Sequence, residues 1–170
     1  MDELKNVFWE TISYNIEEYL NFHLFFSCMI TIRDARESDL ITCEVMSKIP
    51  ELEAPEGEYP TVNSLRTFLK KGFFFVAEKE RKVIGYLAAE AMNDGWVYLD
   101  YFVVDHSARK KKVGSTLLSE LMARLKKSHK EGVFLITLKQ REETLAFYEK
   151  NGFVKGKEYV LYTKKSSQKD

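Results

Sequence analysis

Three groups of residues in this sequence have types and spacings suited to chemistry. Arg109, Lys110, Lys111 and Lys112 are four consecutive cations, followed at once by Val113, Gly114 and Ser115 at the start of the amphipathic segment "VGSTLLSELMARLKK". Backbone N–H groups make a helix N-terminus electropositive, so cations there oppose the helix dipole and repel one another. An anion reverses both effects, because the N–H groups point at it and small residues let it approach. The run therefore reads as an anion site, set against the plainer reading of a solvated basic loop. Asp100 lies inside "WVYLDYFVV", an otherwise apolar strand. A carboxylate there is costly to bury unless it is paired, hydrogen-bonded or opened to a wet cleft. Its structural alternative is an aspartate paired with a nearby cation. Glu51, Glu53, Glu56 and Glu58 crowd the segment "PELEAPEGEYP". They would draw in a cationic ligand if they wall a site, or form a solvated acidic loop if they do not.

These residues must be held by a fold, and its elements follow from periodicity. Leu4, Val7, Phe8, Ile12, Ile16, Tyr19 and Leu20 recur at spacings of three and four, which predicts an amphipathic helix over residues 2–25. Met29 could start a domain by itself, so residues 1–28 read as an appended helix, suited equally to packing on its own domain or on a partner in a homodimer. "CMITIRDA" alternates as a strand, and "RESDLITCEVMSKI" follows with capping residues and then Leu40, Ile41, Val45 and Ile49, as a helix. Three prolines and a glycine break the chain over 50–60. A short helix, "VNSLRTFLKK", stops at Gly72. Three strands are then predicted, divided by the charged turn Glu78 to Arg81 and by the hairpin signal Asn93-Asp94-Gly95. After the basic stretch and its helix come a strand over "VFLITL", a helix over "EETLAFYEKN" closed by Asn151-Gly152, a last strand over "EYVLYTK" and a polar tail at 165–170. The order predicts an α/β fold: a mixed, mostly antiparallel sheet flanked by helices.

Composition narrows the function classes. The chain has 170 residues, 45% hydrophobic and 31% charged, with a formal net charge of zero. That argues for one soluble domain and against bulk affinity for nucleic acid or membrane. One basic cluster in a neutral protein offers few phosphate contacts, so a nucleic-acid-binding role is the weaker reading. No run approaches the ~18 apolar residues of a membrane span. The N-terminus "MDELKNVFWE" carries acids where a signal peptide needs a basic region, so a cytoplasmic location is expected. Cys28 and Cys43 lack metal or disulfide spacing and read as small buried hydrophobes; His23, His106 and His129 read as surface or packing residues, and no metal is expected.

"LDYFVVDHSARKKKVGSTLLSEL" resembles the acetyl-CoA-binding motif of the GNAT superfamily of N-acetyltransferases, a strand followed by V-x-P-x-x-R/Q-x-x-G-x-G/A and a helix. "TLAFYEKNGF" resembles the family's second motif, and "ITIRDARESDL" its first strand and helix, so the likeness spans about residues 29–164. The resemblance implies a GNAT fold, acetyl-CoA as co-substrate and direct attack by a primary amine in a ternary complex. By position, Phe102, Val103 and Val104 would pair with the pantetheine arm. Lys110 to Ser115 would wrap the pyrophosphate, with Arg109 bracing the loop. Lys112 stands at the family's first glycine, and there a positive φ would strain it by about 1 kcal/mol or more. Arg141 stands where many members carry a cofactor-contacting asparagine, and is assigned to the cofactor on that basis. Tyr148 matches the tyrosine near the cofactor sulfur and would act as general acid; read without the family, it is a packing residue beside Leu145 and Phe147. Asp100 falls where several members carry the base for the acceptor amine, with Tyr98 lining the site. An alkylamine with pKa ~10.4 is less than about one part in a thousand neutral at pH 7, so such a base is required. In this family the loop bearing Glu51, Glu53, Glu56 and Glu58 walls the acceptor site, which points to a small cationic amine. The alternatives are acetylation of a protein N-terminus or lysine, and a non-catalytic CoA-binding regulatory module.

Overall fold

The computed structural model describes residues 29–52 and 58–158, with positions 160, 162 and 164 beyond them. The expected helix over residues 2–25, Cys28, Glu53, Glu56 and the tail at 165–170 lie outside the described residues. The chain divides into two compact units, residues 1–136 and 137–170.

The first unit is built on a five-stranded sheet in sequence order, β1 (Thr31–Asp34), β2 (Gly72–Lys79), β3 (Lys82–Ala91), β4 (Trp96–Val104) and β5 (Gly132–Phe134). The first three pairings are antiparallel and β4–β5 is parallel, so the sheet is mixed as expected. Helices α1 (Leu40–Met46) and α2 (Val62–Lys71) cover one face. There Leu40, Cys43, Leu65 and Phe68 pack with Phe74, Val76, Tyr86, Ala88 and Val103 into one cluster. Helix α3 (Val113–Lys127) covers the other face, burying Leu117, Leu118, Leu121 and Leu125 and setting the Arg124 guanidinium 4.4 Å from the centre of the Phe75 ring.

Local chemistry accounts for these boundaries. Thr61 accepts the Ser64 N–H, and Ser64 accepts the Thr61 N–H, a reciprocal cap that starts α2. Glu44 of α1 accepts the Val62 N–H at 2.7 Å, tying the two helices together. Gly72 follows α2 in an extended conformation, where a Cβ would stand 2.2 Å from the Ala89 carbonyl oxygen, so the position takes only glycine. Asn93-Asp94-Gly95 makes the β3–β4 hairpin as read, with Gly95 at φ +89. The β2–β3 turn tightens to Glu80 and Arg81, both at positive φ without a glycine between them.

Three expectations need correction. Helix α1 stops at Met46, and its buried residues are Leu40 and Cys43, while Ile41 and Val45 are 70% and 62% exposed. The Ser47 hydroxyl explains the stop: it bonds the Cys43 carbonyl at 2.7 Å and the Tyr86 hydroxyl at 2.5 Å, so the helix end is anchored on β3. The strand over "VFLITL" is only β5, Gly132–Phe134. The last strand over "EYVLYTK" does not appear at its described positions Glu158, Val160, Tyr162 and Lys164.

In the second unit, α4 (Glu142–Lys150) ends in a Schellman turn. The Gly152 N–H reaches the Glu149 carbonyl at 3.0 Å, the Phe153 N–H reaches the Tyr148 carbonyl at 3.1 Å, and Gly152 takes φ +85. The C-terminal cap read from Asn151-Gly152 is therefore formed.

Candidate active site

Strand β4 is irregular where its chemistry lies. Tyr101 stands opposite Ala88 and Leu99 opposite Ala89, which leaves Asp100 as an extra residue, a β-bulge. The bulge resets the alternation of faces. Val97, Leu99 and Phe102 share one face, while Tyr98, Tyr101 and Val103 share the other with Glu90, Ala88 and Tyr86, on the side of α1 and α2. The Oδ2 atom of Asp100 is buried and has no hydrogen-bond partner among the described residues. Burial, then the nearby charge of Glu90, push its carboxyl up to about 6. Burial and the Asp100 charge also raise the Tyr98 and Tyr101 hydroxyls, and Tyr101 lies within reach of the Ser64 hydroxyl on α2.

Among the described residues no cation pairs with Asp100, and the neighbouring charge that acts on it is that of another acid, Glu90. Tyr98 and Tyr101 both lie near enough to feel the Asp100 charge. Glu90 escaped the sequence reading. Its signal was there, since a lone acid in "YLAAEA" lands opposite Tyr98 when residues are counted outward from the Asn93–Gly95 turn.

The bulge also accounts for the short β5. Pairing between β4 and β5 covers only Trp96–Gly132, Val97–Val133 and Tyr98–Phe134. A bulge bends its strand, and the pairing of β4 with β5 ends two residues before the extra residue Asp100. From Leu99 to Val104, β4 pairs with β3 on one side and with no described strand on the other. Val103 is buried, so what it can offer to a ligand is its backbone. An unpaired strand edge is a template for an extended chain bearing amides. Arg109 Nε donates to the Val104 carbonyl at 3.3 Å and braces the loop that follows.

That loop leads into the anion turn. The Asp105 N–H is held by the Ile84 carbonyl at 2.9 Å, and the Asp105 side chain caps a short turn by accepting the Ser107 N–H at 2.8 Å. Lys110 and Lys112 then adopt φ of +60 and +66. The reversal at Lys112 starts α3 directly, with the N–H groups of Val113, Gly114 and Ser115 in its first turn and therefore without intrahelical acceptors. Val113 and Gly114 are buried against the sheet, while Lys110, Lys111 and Lys112 are exposed around the helix end. N–H donors of the first helical turn, small residues and exposed cations lie together there, as a pyrophosphate requires, so these residues fit coenzyme A. Lys112 does take the positive φ that would strain a residue with a side chain.

In the second unit, Arg141 is the N-cap of α4, and Tyr148 stacks edge-on with Phe147 and Phe153 at centroid distances of 5.5 and 5.3 Å. Burial pushes the Tyr148 hydroxyl up to about 12, so it remains a neutral O–H donor throughout the physiological range. The acidic loop is not assembled as a described group: Glu51 lies in a short turn, Pro50–Leu52, and Glu58 is exposed. A cavity of about 830 Å³ opens between the C-terminal end of α3 and the start of β2, lined by Asp34, Phe73, Phe75, Glu120, Arg124 and Ser128 among others. It includes none of the candidate residues, and the geometry of β4 is the better guide to the chemistry. Among the described residues no cluster of His, Cys, Asp or Glu could hold a metal, and no helix is long and apolar enough to cross a membrane.

Solved structures share this fold. A protein described as a transcriptional regulator from Bacillus halodurans C-125 is 26% identical, with a TM-score of 0.67 over 79% of this chain and 99% of that one. An aminoglycoside acetyltransferase from an uncultured soil metagenomic sample is 20% identical, with a TM-score of 0.65 over 81% and 97%. A streptothricin acetyltransferase from Bacillus anthracis, solved with acetyl coenzyme A, is 20% identical, with a TM-score of 0.62 over 77% and 85%. No curated protein sequence matches the chain. The profile of the acetyltransferase (GNAT) domain matches residues 70–155, from the end of α2 through the Schellman turn after α4. Bulge, open strand edge and anion turn all fall within that span, and the chain belongs to the GNAT family of acetyltransferases, whose co-substrate is acetyl-CoA.

Proposed function

We propose that this protein transfers an acetyl group from acetyl-CoA to the primary amine of a small cationic acceptor, by direct attack in a ternary complex. The observation that carries this reading is Asp100, a carboxylate set by the bulge beside an open strand edge, unpartnered at Oδ2 and pushed up to about 6. At pH 7 it is mostly ionised and basic enough to take a proton, the compromise a general base needs. Acetyl-CoA supplies the activated thioester. Asp100 accepts a proton from the acceptor ammonium, directly or through water, and frees the nitrogen lone pair. Backbone N–H groups near Val104 donate to the carbonyl oxygen as the C–N bond forms. Tyr148 gives its proton to the departing sulfur as the C–S bond breaks, the nitrogen releases its second proton to solvent, and solvent reprotonates Tyr148 and takes up the proton held by Asp100. Arg109, Lys110, Lys111, Lys112 and the first turn of α3 hold the pyrophosphate, and Arg141 contributes to the cofactor. Tyr98 lines the acceptor side, with the glutamates at 51, 53, 56 and 58 drawing cations toward it.

The test is free-thiol release from acetyl-CoA against polyamines, arylalkylamines, lysine and short peptides, for wild type and Tyr148→Phe. Turnover with cationic small molecules, reduced about 10²- to 10⁴-fold in the variant, is the expected result. Turnover confined to peptides would transfer the acceptor to protein N-termini or lysines. A second reading, a CoA-binding regulatory module, draws support from the solved relative described as a transcriptional regulator. It predicts tight CoA binding, no turnover on any amine, and indifference to Tyr148→Phe.

A further inference from the structure

Glu90 has no part in the chemistry above, yet it shares a sheet face with Tyr98 and acts on Asp100. Among the described residues neither acid is paired with a cation. Beside them runs a strip of three rings: Trp96 to Phe134 at 6.5 Å between centroids and Phe134 to Tyr98 at 5.2 Å. The strip is built into the sheet. Phe134 is the register partner of Tyr98, and Trp96 lies over Gly132, where an added Cβ would stand 2.8 Å from its ring. Trp96 and Phe134 are nonetheless each 39% exposed. Exposed ring faces attract methylene chains and cations, and two acids at their margin attract ammonium groups. A base can serve only one amine at a time. The second acid stands opposite Tyr98, two residues from Asp100 and so about 7–8 Å from it, and is exposed and open to a second cation.

Resting on the acetyl-transfer reading, we propose that Glu90 anchors a second ammonium group of the acceptor, making the preferred substrates short aliphatic diamines and their longer polyamine relatives. One nitrogen stands at Asp100, the other at Glu90, and the methylenes between them lie along Tyr98, whose far side is backed by Phe134. A monoamine of equal length leaves Glu90 unpaired.

Diaminobutane and butylamine separate the possibilities. Initial rates of both would be measured for wild type and E90Q, together with calorimetric titration of diaminobutane into the CoA-bound proteins. Because Glu90 is exposed, the variant should fold. Wild type should favour diaminobutane by at least about tenfold in kcat/KM, and E90Q should bring the ratio to within about threefold by raising KM. A general structural defect would lower both substrates in step and leave the ratio intact, which overturns the proposal. If no amine is acetylated but diaminobutane still binds in a Glu90-dependent way, the anchor stands and the catalytic reading falls. If butylamine is acetylated as well as diaminobutane, catalysis stands and the anchor falls. Absence of both turnover and binding removes the two together.

Discussion

Asp100 is the extra residue of the β4 bulge, with one buried oxygen that accepts no hydrogen bond and Glu90 as a like charge beside it. Its folded-state pKa lies above its unfolded value, so its favourable contribution to stability is complete below the ordinary carboxylate range. That contribution is lost as pH rises through about 6. Asp100→Asn should therefore raise thermal stability at pH 8 by on the order of 1 kcal/mol, discounted for the partial exposure of the group, and leave it unchanged near pH 3. Thermal melts at the two pH values check this; equal shifts at both would show that the charge is not the cause. The same substitution should abolish the acid limb of the pH–rate profile near pH 6 and slow turnover about 10²-fold or more. E90Q should move that limb to lower pH, since removing a neighbouring anion eases ionisation. At Lys112, φ of +66 belongs to a residue type that pays for it in strain. Lys112→Gly should stabilise the fold by about 1 kcal/mol, read as a rise in Tm.

At the scale of elements, α1 and β3 are joined by a buried pair of hydroxyls, Ser47 and Tyr86. Ser47→Ala would leave the Tyr86 hydroxyl buried without that partner, at a cost of about 1–3 kcal/mol in denaturant unfolding. Elements set by local chemistry were legible in sequence: α2 by its Thr61 cap and Gly72, the β3–β4 hairpin by Asn93-Asp94-Gly95, and the end of α4 by Asn151-Gly152. Those set by distant partners were not. Helix α1 buries Leu40 and Cys43 where its larger Ile41 and Val45 had suggested the inner face, because Ser47 and its neighbours are chosen by fit against β3. Strand β5 stops at Phe134 although apolar residues continue, because the bulge in β4 removes its partner.

For the whole molecule, 26 basic and 26 acidic side chains cancel, so any pull of the basic turn on the polyanion proposed for it is local. The KM for acetyl-CoA should rise about three- to tenfold between low and high ionic strength, and DNA should not be retained at physiological salt. Kinetics at two salt concentrations and a filter-retention assay check this. Strong DNA retention would show that the lysine run serves a nucleic acid.

The sequence by itself carried the motifs that resemble the family, the class of sheet, the cationic run before a helix and the presence of a carboxylate in an apolar strand. All of these follow from neighbours a few residues apart, where periodicity, capping and charge act directly. Tertiary structure alone decided that Asp100 is a bulge, that the edge of β4 beyond Tyr98 has no described strand beside it, and that Glu90 and Phe134 stand beside Tyr98. Those outcomes depend on the register between strands far apart in sequence. A shift of one residue there sends every side chain to the other face, and no local pattern records it.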